Sequence, residues 1–293
     1  MSQKGWAALK IPPASEHASA VGFSPIVAYI KQLPLFPFSV MKVQRFELLP
    51  NFDAVERIAL EHRVFSITLE PGVVKRMTSS QLYKLMRQHG YRGSRSPLLP
   101  TKTLHVDLTG SQKDLLQGMK KDARTSIRKA QHVSHRQILG RDDAALLERF
   151  HEFWRKHGKG YVPSLSEFSL LMRTFDKDAF VVLISSKDAQ LLAGATILIS
   201  DGCAYYYYAV TSQTGRRLYA GYLAVWEAML EAKRRSCRIF DFEGIYDDRF
   251  KQLKRWRGFS AFKQKFGGEE VCYSGPFSRS FFPFKIQSLF HSR

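Results

Sequence analysis

The chain has 293 residues, with 45 Lys or Arg against 26 Asp or Glu, for a net charge of +19. This excess favours nucleic acid, anionic lipid head groups or phosphorylated substrates as partners, and a hydrophobic fraction of 44% excludes a disordered chain. No apolar run reaches about 18 residues, which excludes an ordinary membrane-spanning helix.

The opening "MSQKGWAALKIPPASEHA" lacks a continuous apolar segment, so no secretory signal is expected and the protein is assigned to the cytoplasm. Residues 1–25, with Pro12, Pro13, Ser15, Ser19 and Ser24, are expected to form a loosely structured lead-in. "FSVMKVQRFELL" (38–49) alternates and is rich in Val and Phe, predicting a strand. "NFDAVERIALEH" (51–62) begins on an Asn cap and sets Phe52, Val55, Ile58 and Ala59 on one helical face. A strand over 63–71 and a helix over 79–90, capped by Ser79 or Ser80 and stopped by Gly90, complete a small α/β unit.

"TKTLHVDLTG" (101–110) predicts a strand and turn, and residues 111–131 predict one long helix. Its buried stripe is Leu115, Leu116, Met119, Ala123, Ile127 and Ala130. Lys113, Lys120, Lys121, Arg124 and Arg128 form a second stripe, either a solvated face or an anion-facing one. A second α/β unit is expected over 141–277, which sets the first at 26–140. In it, two helices precede the apolar runs "AFVVLISS", "LLAGATILIS" and "CAYYYYAVTS", with hairpins at "KDAQ" and "DGC", which read as an antiparallel meander. A long amphipathic helix (215–236), the strand "CRIFDF" and a last strand "EEVCYSG" follow.

Cys203, Cys237 and Cys272 are widely spaced and odd in number, so buried reduced thiols are expected rather than disulfides. No Cys, His and carboxylate spacing suits a metal, and no Ser/His/Asp or Cys/His nucleophile arrangement is visible. The last residues, 278–293, form a Phe-rich basic tail whose composition suits either a membrane-surface segment or a docked C-terminal helix.

The order meander, helix, strand, helix, strand is that of the GNAT acyltransferase fold. "SQTGRRLYAGY" stands where acyl-CoA-binding members carry a Gly-rich phosphate loop, and it offers only Gly215 and Gly221. Three separated stretches then resemble the FemABX aminoacyltransferases: "LLQGMKKDARTSIRKAQ", "YYYYAVTSQTGRRLYAGYLAVWEAMLEAKRRSCRIFDFEGI" and "FKQKFGG". The family's Asp-Phe-Gly-Gly-Ile appears as Asp241-Phe242-Glu243-Gly244-Ile245, with Glu in place of the first Gly. Its Phe-Lys-x-x-Phe-Gly appears as Phe262 to Gly267.

The resemblance implies an α/β (α+β) protein of two GNAT-like domains, the first one shortened. It also implies transfer of an amino acid from aminoacyl-tRNA to the stem-peptide amine of a nucleotide-linked or lipid-linked muropeptide. Aminoacyl-tRNA is then the co-substrate and no cofactor is required. Carried over by motif, Phe262 and Lys263 are the catalytic pair, and Glu70, which precedes Pro71, is the acidic residue of the first domain. One of Tyr206, Tyr207 and Tyr208 supplies a substrate-facing aromatic. Asp241 lies opposite its Phe neighbours, as a substrate contact or a cap for the following loop. Lys251, Lys254, Arg255, Arg257, Lys263 and Lys265 are expected to meet tRNA or muropeptide phosphates, with peripheral contact to an anionic membrane, and Trp256 either stacks on a base or anchors the segment. Two alternatives stay open: an N-acyltransferase using acyl-CoA or another thioester, and a non-catalytic tRNA- or membrane-binding relative.

Overall fold

In the computed structural model, residues 6–14, 25–74 and 77–281 are described. They form two compact units, one from residues up to Thr101 together with those from Cys272 onward, the other Lys102–Val271.

The first unit holds β1 (Ala7–Ile11), β2 (Ile26–Gln32), β3 (Ser39–Gln44), α1 (Phe52–Glu61), β4 (Val64–Glu70), α2 (Ser79–Gln88) and β5 (Arg92–Gly93). Asn51 caps α1 by accepting from the Ala54 amide at 2.9 Å. Thr78, rather than Ser79 or Ser80, caps α2, because Gln81 closes a capping box on it. The strand predicted over 38–49 is shorter than expected, because Arg45 takes a positive φ of 53° and turns the chain out of the sheet. Ile30, Met41, Val43, Val55, Ile67, Leu69, Leu82 and Met86 make the core.

The second unit contains β6 (Lys102–Asp107), α3 (Gln112–Gly118), α4 (Lys121–Val133), β7 (Ser134–Leu139), α5 (Ala144–His157), α6 (Leu165–Phe175), β8 (Ala179–Ser186), β9 (Leu191–Ser200) and β10 (Cys203–Thr211). It continues with α7 (Gln213–Arg217), α8 (Ala220–Arg234), β11 (Ile239–Asp241), α9 (Arg257–Lys263) and β12 (Glu269–Cys272), and β13 (Phe277–Ser280) returns to the first unit. The described strands of this unit order β12-β6-β11-β10-β9-β8-β7, and β8, β9 and β10 form the predicted antiparallel meander. The apolar run of β8 is buried on both faces. Phe180, Val182 and Ile184 join the core under α4 and α8, while Val181 and Leu183 join Phe150, Trp154 and Phe168 of α5 and α6.

Three expectations are corrected. The boundary falls at Thr101 rather than 140, because β6 pairs antiparallel with β11 and the apolar stripe of α3 and α4 shares a core with α8. The lead-in contains β1, which pairs with β2, while residues 15–24 lie outside the described residues. The start of the tail is also a strand: β13 pairs with β4, and the tail from 282 onward lies outside the described residues. All three cysteines are free, but only Cys237 is buried; Cys272 is exposed on the edge strand β12.

The helix predicted over 111–131 breaks at Met119 and Lys120, both with extended backbone. The freed Lys120 amide donates to the Lys265 carbonyl at 2.9 Å. Arg124 closes α3 from below by donating to the Met119 carbonyl at 2.6 Å. Gly267, at φ +79°, seats the "FKQKFGG" segment so tightly that a Cβ there would stand 2.4 Å from the Gly118 carbonyl oxygen. The long helix 215–236 is likewise split, with Tyr219 in the left-handed region between α7 and α8. Gly267→Ala combines a backbone conformation closed to L side chains with a backbone overlap. It is expected to cost about 2 kcal/mol or more, read as a lowered midpoint in thermal or denaturant unfolding.

Candidate active site

The site grows from a strand that stops early. β10 pairs in parallel with β11 only from Cys203–Tyr205 against Ile239–Asp241, and then runs on to Thr211 beside β9 alone. After Asp241 the chain stays with β6: the amides of Phe242 and Ile245 donate to the carbonyls of Leu104 at 3.0 Å and Lys102 at 2.9 Å. A splay therefore opens between the second half of β10 and the loop 242–245.

Two side chains hold that loop. Asp241 is 5% exposed and accepts from the Glu243 amide at 2.6 Å, from His105 Nε2 at 3.1 Å and from the Thr103 hydroxyl. Burial alone would raise its pKa, but the bonds from His105 and Thr103 outweigh this and hold the carboxyl below its ordinary value. Lys263 reaches the loop from α9, where Nζ donates to the carbonyls of Phe242 at 2.6 Å and Gly244 at 2.7 Å. One turn earlier on the same helix, the buried Ser260 hydroxyl accepts from the Tyr246 amide at 2.7 Å and donates to the Trp256 carbonyl at 2.7 Å. Burial lowers the Lys263 pKa to about 8, against the charges of Glu243 and Asp241, which raise it.

Glu243, the departure from the family pattern, has φ +61°. The loop demands a left-handed residue at this position, a conformation that the glycine of the family pattern adopts without strain. The Glu243 charge raises the pKa of Tyr205 and of Tyr207 in β10, after the larger effect of their burial, so its carboxylate belongs to the electrostatics of the splay.

The three tyrosines part company at a β-bulge. Tyr206 opposes Ile197 and Tyr208 opposes Thr196, leaving Tyr207 as the extra residue. Tyr206 then packs on Phe240 and Phe242, while Tyr208 turns to the opposite face against Trp154. Tyr207 alone of the three is left exposed.

Other candidates separate by what they touch. Phe262 packs edge-on against Tyr222 at 4.9 Å and Phe266 at 5.3 Å, so it anchors α9. Lys265 is paired at the surface, with Nζ 2.7 Å from Asp122 and 3.2 Å from the Tyr222 hydroxyl. Lys251, Lys254, Arg255 and Arg257 are exposed, and the Arg257 guanidinium lies over the Tyr246 ring at 4.8 Å. Trp256 is half-buried against Phe259. Glu70 belongs to the first unit, where its buried carboxylate accepts from the amides of Leu98 at 2.6 Å and Leu99 at 3.0 Å and from Gln44 at 2.8 Å.

Sequence reasoning missed Thr103, His105 and Ser260. The alternation of Thr103 and His105 on one strand face was visible, but their partner lies 136 or more positions away, across the misplaced boundary. Elsewhere in this unit a cavity of about 580 Å³ opens between α4, β7 and α8, and none of the site residues above lines it. Among the described residues no His, Cys, Asp and Glu group could hold a metal ion, and no helix is long and apolar enough to cross a membrane.

The acetyltransferase (GNAT) domain family matches residues 117–252. The crystal structure of FemX superposes with a TM-score of 0.76 at 16% identity, over 95% of this chain and 89% of that one. The C-terminal domain of a candidate lysylphosphatidylglycerol synthetase from Agrobacterium fabrum gives 0.57 at 13% identity, over 94% and 83%. A tandem GNAT protein from the clavulanic acid biosynthesis pathway gives 0.51 at 12% identity, over 90% and 82%. No curated protein matches the chain. The chain thus has the GNAT acyltransferase fold, a group-transfer architecture in mixed α/β form. Its two units together share the fold of the FemX structure.

Three substitutions separate the roles in the loop. Glu243→Gly is expected to melt no lower than the wild type, whereas Glu243→Val, β-branched at a left-handed position, should cost about 1–2 kcal/mol. Asp241→Ala strands the Glu243 amide and the Thr103 hydroxyl and should cost about 2–4 kcal/mol by denaturant unfolding.

Proposed function

We propose that the protein is an aminoacyltransferase that moves an amino acid from aminoacyl-tRNA to the stem-peptide amine of a nucleotide-linked or lipid-linked muropeptide. The observation that carries this is the Lys263 ammonium, held by two loop carbonyls at the mouth of the β10–β11 splay. An ammonium has three N–H groups, and two are donated to Phe242 and Gly244. The third serves the oxygen that becomes negative when an amine attacks the ester carbonyl.

In that reaction the acceptor nitrogen forms the C–N bond and the ester C–O bond to the ribose breaks. The proton lost by the amine ends on the ribose oxygen. The ester is already activated, so positioning and charge stabilisation supply most of the catalysis. Tyr207, exposed at the bulge of β10, is the tyrosine of the three free to meet substrate. Lys251, Lys254, Arg255 and Arg257 stand exposed on the segment leading into α9, where a tRNA acceptor end or a muropeptide pyrophosphate would be met. A charged-tRNA substrate is available in the cytoplasm, and the reaction is assigned there.

The loop before α8 weighs against the acyl-CoA alternative. Its amides at Gly215, Arg216, Leu218 and Tyr219 are all bonded within the loop, to Ser212, Thr214 and Arg216. Gly215 is pressed against Leu192, where a Cβ would stand 2.1 Å from the carbonyl oxygen, so its small size serves packing. These four amides are spent on the segment itself, which leaves fewer donors for a pyrophosphate cradle.

Incubation with charged tRNA pools and both muropeptide forms, followed by mass spectrometry, should show the mass of one added amino acid. No increase with any pair, or acyl transfer from CoA thioesters instead, overturns the proposal. Lys263→Ala should lower the transfer rate about 100- to 1000-fold. A cation at residue 263 is needed for this role, and its protonated form is lost as pH rises through about 8. The transfer rate should therefore fall across that pH rather than rise, and Lys263→Arg, where active, should move the fall upward.

A further inference from the structure

One end of the six-stranded sheet, within the first unit, carries large apolar side chains that stand out of the fold. β2 and β3 are joined by Leu33-Pro34-Leu35-Phe36-Pro37-Phe38, closed by bonds from the Leu33 amide to the Phe38 carbonyl at 2.9 Å and from the Phe36 amide to the Leu33 carbonyl at 3.4 Å. Leu35 is 99% exposed and Phe36 55% exposed. Leu35 also has φ +70°, a conformation that hairpin turns ordinarily assign to Gly, Asn or Asp. Neither folding nor solubility favours leucine there, so the side chain is accounted for by something outside the chain.

Sheet register brings further groups to this end. Ser39 pairs in parallel with Val64, so the turn between α1 and β4 lies beside the hairpin, and Leu60 in that last helical turn is 76% exposed. The exposed Arg57 and Arg63 flank Leu60, with Glu61 as the anionic neighbour. On the other side the Lys31 ammonium lies 5.9 Å from the Trp6 ring centroid. β13 leaves the sheet here too, since the Phe281 amide donates to the Phe65 carbonyl at 2.9 Å.

We infer that this end of the first unit docks on an anionic lipid bilayer. Leu35 and Phe36 enter the boundary between head groups and acyl chains, and Lys31, Arg57 and Arg63 meet the head groups. A protruding apolar pair ringed by cations, with Trp at the margin, has the composition of an interfacial anchor. A protein partner is less well matched: a two-residue tip stiffened by two prolines offers far less than the roughly 800 Å² per side of a stable protein interface. The net charge of +19 adds attraction to an anionic surface. Docking would favour the lipid-linked acceptor in the proposed reaction but does not depend on that reaction, since vesicles without acceptor suffice to detect it.

The full chain should co-sediment with vesicles of phosphatidylcholine mixed with phosphatidylglycerol, far less with phosphatidylcholine alone, and less as salt rises. The double variant L35D/F36D should lower partitioning by about tenfold or more while leaving the melting temperature and transfer to a nucleotide-linked acceptor unchanged. Wild-type protein that ignores anionic vesicles overturns the inference. So does binding that L35D/F36D leaves intact but truncation after Phe281 abolishes, which would assign the anchor to the tail. Self-association without vesicles that the same double variant disperses would also overturn it, by assigning the tip to a second copy of the chain.

Discussion

A strand that ends inside a sheet leaves backbone carbonyls and amides that must still find partners, and the second unit is organised around meeting that demand. β11 pairs with β10 for three residues and then turns away, which frees the carbonyls of Phe242 and Gly244 and the amide of Glu243. Asp241 takes the amide, and Lys263 takes both carbonyls. One carboxylate and one ammonium thus convert a costly interruption of the sheet into a fixed opening. The residue proposed to meet the reacting oxygen is the one that keeps the opening open.

That dual use explains the arrangement around α9. A lysine on a mobile surface segment would have its ordinary pKa and many rotamers. Here α9 is fixed at both ends: Ser260 ties it to the Tyr246 amide, and the Gly267 seat and the Lys265–Asp122 pair tie the following turn to the break between α3 and α4. The break itself is satisfied by the same segment, through the Lys265 carbonyl. Each helix end or strand end in this region is completed by a neighbouring backbone group or side chain. A change in any one of them therefore reaches the Lys263 ammonium through very few bonds.

Much of this was legible in the sequence, and what was not has a common physical cause. The meander and α8 declare themselves by local periodicity and the two motifs by their resemblance to a known family, and the bulge at Tyr207 leaves the tyrosine run intact as a signal. The boundary at Thr101 was hidden because β6 finds its partner strand, β11, more than a hundred residues later, and β13 crosses back in the opposite sense. No local pattern encodes a pairing of that separation. The break at Met119 had a visible mark in Gly118, but a lone glycine is tolerated within helices, and only the approach of Gly267 makes it a stop. Glu243 looked anomalous in a row of letters, and its positive φ of 61° explains the glycine of the family pattern, not the glutamate.

The basic stretch from Arg249 to Lys265 shows how far a count of charges can be trusted. Of its seven cations, Arg249 is paired with the buried Asp247, Lys265 with Asp122, and Lys263 with two carbonyls. Lys251, Lys254, Arg255 and Arg257 remain exposed. Sequence alone cannot make this division, because all seven have the same composition and similar spacing. The division follows from which of them face backbone ends and carboxylates. The paired cations fix local structure, Lys263 that of the splay loop itself, and the remaining exposed ones set the field around it. A polyanion would be attracted by the second group and oriented by a loop that the first holds in place.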